Sequence, residues 1–384
     1  MLLSKSQAAT THPYARRACL WLTIFLCLSP AVQAAPANPP VKPQAEAPKF
    51  HAQVMTVLTS DDRGDPLKMP SALFFDPTSD ELYLLDNNGP SRFINYGSDY
   101  FPQDSLGAGR GIETPTGGCV DAEGNLYLLQ SATSSKPARV TVLNQAFLPV
   151  REIILASVAP DLKDFSPQRV AATPDGKLYI AGLETSRVLV LGRDGHFIEW
   201  FEVGIDKHWE YHPGQPTPAP DQADARTQPC ALTSEKFTGA IIRNLAVDAR
   251  GDLFFLSEDT SKVYVFDDHE HFLFSFGTKG GSDGKLSRPR ALAIDEKKKC
   301  IYVVDYMRHT VLMFNLSGEF LFEFGGRGWG PGWFNYPVDV VVGHQGQVIV
   351  ADLFNQRAQV FEVKAPPLPD RDPKLWQAKS GGGE

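Results

Sequence analysis

The chain has 384 residues, with 37 Lys and Arg against 45 Asp and Glu, a formal net charge of −8. Nucleic-acid affinity rests on neutralising phosphates with cations, so this acidic balance argues against DNA or RNA as a partner. Five cysteines without a Cys-x-x-Cys-His or paired zinc-type spacing give no case for covalent haem or structural zinc.

The first 34 residues read as an export signal. Arg16-Arg17 precede an apolar stretch from Ala18 to Leu28, and Val32-Gln33-Ala34 supplies small residues for cleavage before Ala35. The apolar run is shorter than the ~20 residues that a spanning helix needs, with an uncleaved anchor as the alternative. Removing Lys5, Arg16 and Arg17 with the signal leaves 34 basic residues against 45 acidic ones, a balance of −11. Residues 35–49, including Pro36-Ala37-Asn38-Pro39-Pro40, form a stiff linker.

Six copies of one motif follow. The fifth reads Arg288-Pro289-Arg290-Ala291-Leu292, then Cys300-Ile301-Tyr302-Val303-Val304-Asp305, then Thr310-Val311-Leu312-Met313-Phe314. The sixth reads Tyr336-Pro337-Val338-Asp339-Val340, then Gln347 to Asp352, then Arg357 to Phe361. Pro289 and Pro337 stand 48 residues apart. A period near that length with several short apolar runs per unit means a propeller blade. The earlier copies open at Pro70, Pro115 and Pro167, and the fourth lacks the proline. Asp175-Gly176 and Arg250-Gly251-Asp252 supply turn chemistry between the strands. A fourth, outer strand such as Phe272–Phe276 or Phe320–Phe324 ends most units.

The sixth unit stops after its third strand and runs into Lys364-Ala365-Pro366-Pro367, which cannot pair as a strand. Residues 51–58, His51 to Leu58, belong to no repeat and are expected to supply the missing outer strand against Arg357–Phe361. That join closes the ring and removes two exposed edges. The expected fold is all-β: a six-bladed β-propeller over residues 50–363 with four-stranded antiparallel blades. An insertion at 205–236 falls between blades three and four, and a flexible tail spans 364–384.

The Gly332-Trp333-Phe334-Asn335-Tyr336-Pro337 run, the strand-ending Asp305 and Asp352 and the basic residue opening the third strand resemble the NHL-repeat β-propeller family, over about four fifths of the chain. The Asn-His-Leu tripeptide itself is absent; Asn355-Gln356-Arg357 and Arg308-His309-Thr310 stand in that region. The resemblance implies a propeller but not one activity, because the family includes scaffolds, RNA binders, sensor domains and an amidating lyase that uses histidine-bound metal.

Two features are candidate binding elements. The repeat-equivalent series Arg92, Arg139, Arg187, Lys262, Thr310 and Arg357 is basic at five of six positions. It forms either a ring of positive charge near one channel mouth or a set of pairs with Asp86, Asp305, Asp352 and neighbouring carbonyls. Residues that repeat with the blade usually serve the blade, which favours the second reading. The insertion carries Trp209 and Tyr211 in a polar, proline-rich loop, either as docking anchors or in a neutral surface excursion. His208 and His212 are four apart, but Pro213, Pro216 and Pro218 leave little helix on which to share a metal. Asp267-Asp268-His269-Glu270-His271 reads as a solvated hairpin. No histidine falls on an innermost strand and no Gly-x-Ser-x-Gly is present.

The expected function is a non-catalytic exported module, periplasmic or extracellular and monomeric by itself. It would bind a protein, peptide or glycan partner in the cell envelope, with no cofactor, no metal and no membrane span after signal cleavage. The alternative is a metal-dependent propeller lyase or hydrolase with its site at the central channel.

Overall fold

A computed structural model describes residues 50–89, 91–183, 185–203 and 239–376. The chain divides into two units, Met1–Ala47 and Pro48–Glu384, and every described residue lies in the second. Its strands make six four-stranded antiparallel sheets. Blade one holds β2 (Pro70–Asp76), β3 (Glu81–Asp86), β4 (Arg92–Tyr96) and β5 (Pro102–Leu106). Blade two holds β6 (Pro115–Val120), β7 (Leu126–Gln130), β8 (Arg139–Leu143) and β9 (Pro149–Ile154). Blade three holds β10 (Pro167–Ala172), β11 (Leu178–Gly182), β12 (Arg187–Leu191) and β13 (Phe197–Glu202). Blade four holds β14 (Ile242–Val247), β15 (Leu253–Ser257), β16 (Lys262–Phe266) and β17 (Phe272–Phe276). Blade five holds β18 (Pro289–Asp295), β19 (Cys300–Asp305), β20 (Thr310–Asn315) and β21 (Phe320–Gly325).

Blade six is the exception in sequence. It holds β22 (Pro337–Val342), β23 (Gln347–Asp352), β24 (Arg357–Lys364) and, as its outer strand, β1 (His51–Leu58). β1 runs antiparallel to β24, with His51 opposite Lys364 and Leu58 opposite Ala358. Every blade therefore has four strands and the ring closes through the N-terminal strand, as the repeat pattern predicts. Closure matters because an unpaired β24 would leave a row of backbone donors and acceptors open.

The core lies between blades rather than at one centre. Phe254, Leu256, Val263 and Val265 of blade four pack on Leu292, Ile301 and Val303 of blade five. The third strands are buried along most of their length, as in β20, where Thr310 to Asn315 are all buried. That explains their near-continuous apolar runs: both sheet faces are covered by neighbouring blades. Antiparallel succession also sorts the loops. Turns between second and third strands and the crossings between blades gather on one face, and the hairpins gather on the other.

The tail departs from expectation. It was expected to be flexible from residue 364, but residues 365–376 lie against the propeller. Ala365 and Leu368 join the cluster of blades five and six, and Leu375 and Trp376 join that of blades four and five. Lys299 holds Asp370 at 2.9 Å, and the buried Arg371 pairs with Asp248 and Asp252 in the first hairpin of blade four. The prolines that exclude a strand do not exclude a packed extended segment. No helix among the described residues is long and apolar enough to cross a membrane.

Candidate binding site at the channel mouth

Each innermost strand carries a bulge one residue past its start. The register slips between Pro70 and Ala72, Pro115 and Gly117, Pro167 and Arg169, Ile242 and Asn244, Pro289 and Ala291, and Pro337 and Asp339. A bulge leaves one residue outside the ladder and re-aims its side chain. The re-aimed residues are Ser71, Thr116, Gln168, Arg243, Arg290 and Val338, all half-buried. Blades four and five thus present arginine at the same station, and blade three has Arg169 one residue further on.

Arg169 crosses between blades. Its Nη1 donates to the Thr116 carbonyl at 2.9 Å and the Gln168 carbonyl at 3.0 Å, and its Nη2 to the Ser71 carbonyl at 3.4 Å. The same Nη2 lies 3.6 Å from Asp339, whose buried carboxylate accepts from the Leu73 amide at 2.9 Å and the Val340 amide at 3.0 Å. Four innermost strands are tied through one guanidinium. Burial pushes the Asp339 carboxyl up, against the pull of Arg169. Gly117 has no side chain for a steric reason: a Cβ there would stand 2.6 Å from the Gln168 carbonyl oxygen.

Beside this tie is a cleft of about 630 Å3 between blades three, four and five. Glu258, in the turn between the second and third strands of blade four, faces three guanidiniums. Arg243 Nε is at 3.7 Å, Arg290 Nε at 3.4 Å, and Arg288 Nε donates to it directly. The Arg290 guanidinium also lies 4.7 Å from the Tyr306 ring centroid. Burial, then Arg290 and Arg169, brings the Arg243 pKa down to about 10, and burial lowers that of Arg290. The shifts report cations crowded into a partly dry space. Leu183, Ile241 and Met307 line the same cleft and remain 50, 38 and 47% exposed.

The repeat-equivalent basic series does not line this cleft. Its members open the third strands, two strands out from the channel, and Arg92, Arg139 and Arg357 are engaged locally there. Arg92 pairs with Asp86 at 2.6 Å and also with Asp61. Arg139, fully buried, donates to Gln130 Oε1 at 3.0 Å, and Arg357 pairs with Asp352 at 2.8 Å. Lys262 stands opposite Ser257 in the ladder, and Arg187 lies 4.5 Å over the Trp200 ring. Three of the facing partners, Asp86, Asp305 and Asp352, also accept amides from the loop that leads into the innermost strand, such as Met69, Ser287 and Asn335 at 2.5, 2.5 and 2.6 Å. Trp209 and Tyr211, like His208, His212 and Cys230, lie outside the described residues.

The Asp267-Asp268-His269 group brings three ligand-type atoms together, yet the Asp267 carboxylate accepts the His269 and His271 amides at 3.0 and 2.8 Å. Its arrangement is that of the expected hairpin. Cys119 and Cys300 are free thiols, and burial pushes Cys300 up to about 12, which suits packing rather than reactivity.

A family model described as "6-bladed beta-propeller" matches residues 290–363. The chain is a six-bladed β-propeller. Among curated proteins it is similar to the protein brain tumor of Drosophila melanogaster, 26% identical over 119 residues, which are 31% of this chain and 11% of that protein. Among solved structures it is similar to an auxiliary nutrient binding protein from Bacteroides thetaiotaomicron: TM-score 0.55 and 13% identity, over 83% of this chain and 78% of the other. A second auxiliary nutrient binding protein, from Bacteroides ovatus, gives TM-score 0.55 and 14% identity over 83 and 78%. Identities this low speak for the fold alone.

Sequence reasoning passed over Arg169, Arg243, Arg288, Arg290 and Glu258. Arg288 and Arg290 flank the proline that defines the repeat, so the signal was present. It lay in the bulge position, which a one-dimensional strand pattern does not reveal.

Proposed function

We propose that this chain is a non-catalytic, exported binding propeller of the NHL type, which holds a protein, peptide or glycan partner of the cell envelope. The cleft between blades three, four and five is its binding site. One observation carries this reading: the cleft combines exposed Leu183, Ile241 and Met307 with guanidiniums that share a single carboxylate. A concave site with convergent polar groups that fix orientation beside apolar side chains has the elements of a ligand pocket, and this cleft is richer in charge than most. Glu258 is committed to arginines and is poorly placed for proton transfer. The two nutrient-binding propellers of similar fold are compatible with a binding role.

Export is part of this reading, supported by the order of charged, apolar and small residues in the first 34 positions. N-terminal sequencing of protein recovered from the cell envelope should begin at Ala35, and a retained Met1 would contradict it.

The binding reading is tested by displaying the purified chain to peptide and glycan arrays, with Met307→Asp as the control. Captured ligands should be lost in the variant while its melting curve stays close to that of the parent. Ligands captured equally well by the variant would move the site away from the cleft. The double change Trp209→Ala with Tyr211→Ala, assayed in the same way, asks whether the insertion shares in docking. Weaker capture at unchanged stability gives it a share.

A further inference from the structure

We propose that the cleft binds an organic carboxylate carried beside an apolar group, as at the C-terminus of a peptide that ends in an aliphatic residue. This rests on the reading of the cleft as the binding site and adds the chemistry of the ligand.

Charge is the first support. Four cations line the cleft, Arg243, Lys279, Arg288 and Arg290, against Glu258 and Asp259. The Asp259 carboxylate already accepts the Ser257 hydroxyl. Glu258 is left to serve three guanidiniums, each with five N–H donors in a planar fork. One carboxylate cannot fill three forks. The Arg290 Nε is buried and makes no hydrogen bond, although Glu258 stands 3.4 Å away. Arg288, at 51% side-chain exposure, is the fork most open to a ligand from solvent.

Shape of charge is the second. Guanidinium forks match the flat, two-oxygen edge of a carboxylate, and Arg288 already donates to one in Glu258 through its Nε alone. A second carboxylate meets the same geometry. The third support is the apolar rim. Leu183, Ile241 and Met307 would gain burial from an aliphatic group next to the anion, and an inorganic ion offers them nothing. Met307, unbranched and flexible, adapts to more than one such group.

The test measures binding of four probes to the purified chain by titration calorimetry: acetyl-Ala-Ala-Leu with a free C-terminus, the same peptide as C-terminal amide, 4-methylpentanoate and inorganic phosphate. The free-acid peptide should bind at least about tenfold more tightly than its amide, since hydrogen bonds to a charged group are stronger than those to a neutral one. Its affinity should fall with added salt. If 4-methylpentanoate matches the peptide, the source is a free small acid rather than a chain end, and the carboxylate chemistry stands. Arg288→Gln should weaken binding several-fold. Glu258→Gln, which removes the competing carboxylate, should tighten it. A purely structural role for Glu258 would not give these opposite signs. Equal binding of acid and amide, binding of phosphate alone, or no effect of either variant would overturn the proposal. If all four probes fail while array ligands remain sensitive to Met307→Asp, the carboxylate proposal falls and the binding site stands. If the array ligands are insensitive as well, both fall.

Discussion

At the scale of single residues, the repeat is stabilised by carboxylates that hold loops. Asp305, fully buried, accepts the Ser287 amide at 2.5 Å, the Arg288 amide at 3.2 Å and the Met307 and Arg308 amides at 3.1 Å each. Asp305→Ala would leave several of these donors unmet, at ~1–3 kcal/mol for each that water cannot reach. The expected loss is about 3 kcal/mol or more by denaturant titration, with Asp305→Asn recovering part of it. His309 offers a pH prediction. It sits in the left-handed region at φ 59°, and its Nδ1 accepts the Tyr336 amide at 2.9 Å. Burial, then the charge of Arg327, lowers its pKa from the ordinary 6.5. Protonation would destroy the acceptor. As pH falls through 6.5 the unfolded chain takes up this proton first, so stability is full above that value and declines towards the lowered folded value. His309→Asn tolerates the same backbone and does not titrate. The fall in melting temperature between pH 7.5 and 5.5 should therefore be smaller in the variant than in the parent.

At the scale of elements, the C-terminal segment is a strap. It leaves β24 in blade six, meets Lys299 of blade five through Asp370 and reaches blade four by residues 371–376. There the Arg371 guanidinium lies 3.9 Å from the Trp376 ring, and Trp376 packs on Phe254 and Phe274. Each blade touches mainly its neighbours, so a segment that bridges three blades adds long-range coupling to a fold otherwise held by adjacent contacts. Arg371→Ala would leave Asp248 and Asp252 buried without their cation, and removing one partner of such a pair costs ~3–5 kcal/mol. Ending the chain at Ala365 should lower stability at least as much. Chemical denaturation decides this, and a truncated chain as stable as the parent would show that the strap only rests on the surface.

At the scale of the whole molecule, closure by β1 decides whether six blades behave as one unit. Val54 stands opposite Phe361, and Phe50, Ala52 and Val54 pack into the cluster shared by blades five and six. Deleting residues 50–59 reopens β24 and exposes that cluster. The whole propeller should then melt earlier, in one transition, by about 10 °C or more, given ~2–4 °C per kcal/mol in domains of this class. A second, separate transition would mean that the blades unfold piecewise. The ring and its closing strand were legible because strands have short local signatures and because a unit lacking a strand and a strand lacking a unit stood at opposite ends of the sequence. The cleft was not legible in the same way. Arg169, Arg243 and Arg290 come from three blades up to 121 residues apart, at or one residue past the bulge of each innermost strand, and only the closed ring brings them to one mouth.

The sequence by itself determined the blade count, the strand order, the ring closure and the pairing logic of the third-strand basic residues, because each depends on a repeat period or on residues a few positions apart. Arg92 with Asp86 and Arg357 with Asp352 are cross-strand neighbours in a tight turn, so local spacing sufficed. Tertiary structure alone decided where unpaired charge accumulates and where the tail goes. Pro366 and its neighbours show that the segment cannot be a strand, but only the surface of blades four and five offers buried Asp248, Asp252 and Phe254 for Arg371 and Trp376 to meet. Likewise, an arginine after a repeat-opening residue looks like any exposed cation until two neighbouring blades turn theirs towards one Glu258. Electrostatic sites are set by distance in space, and distance along this chain carries almost no information about it.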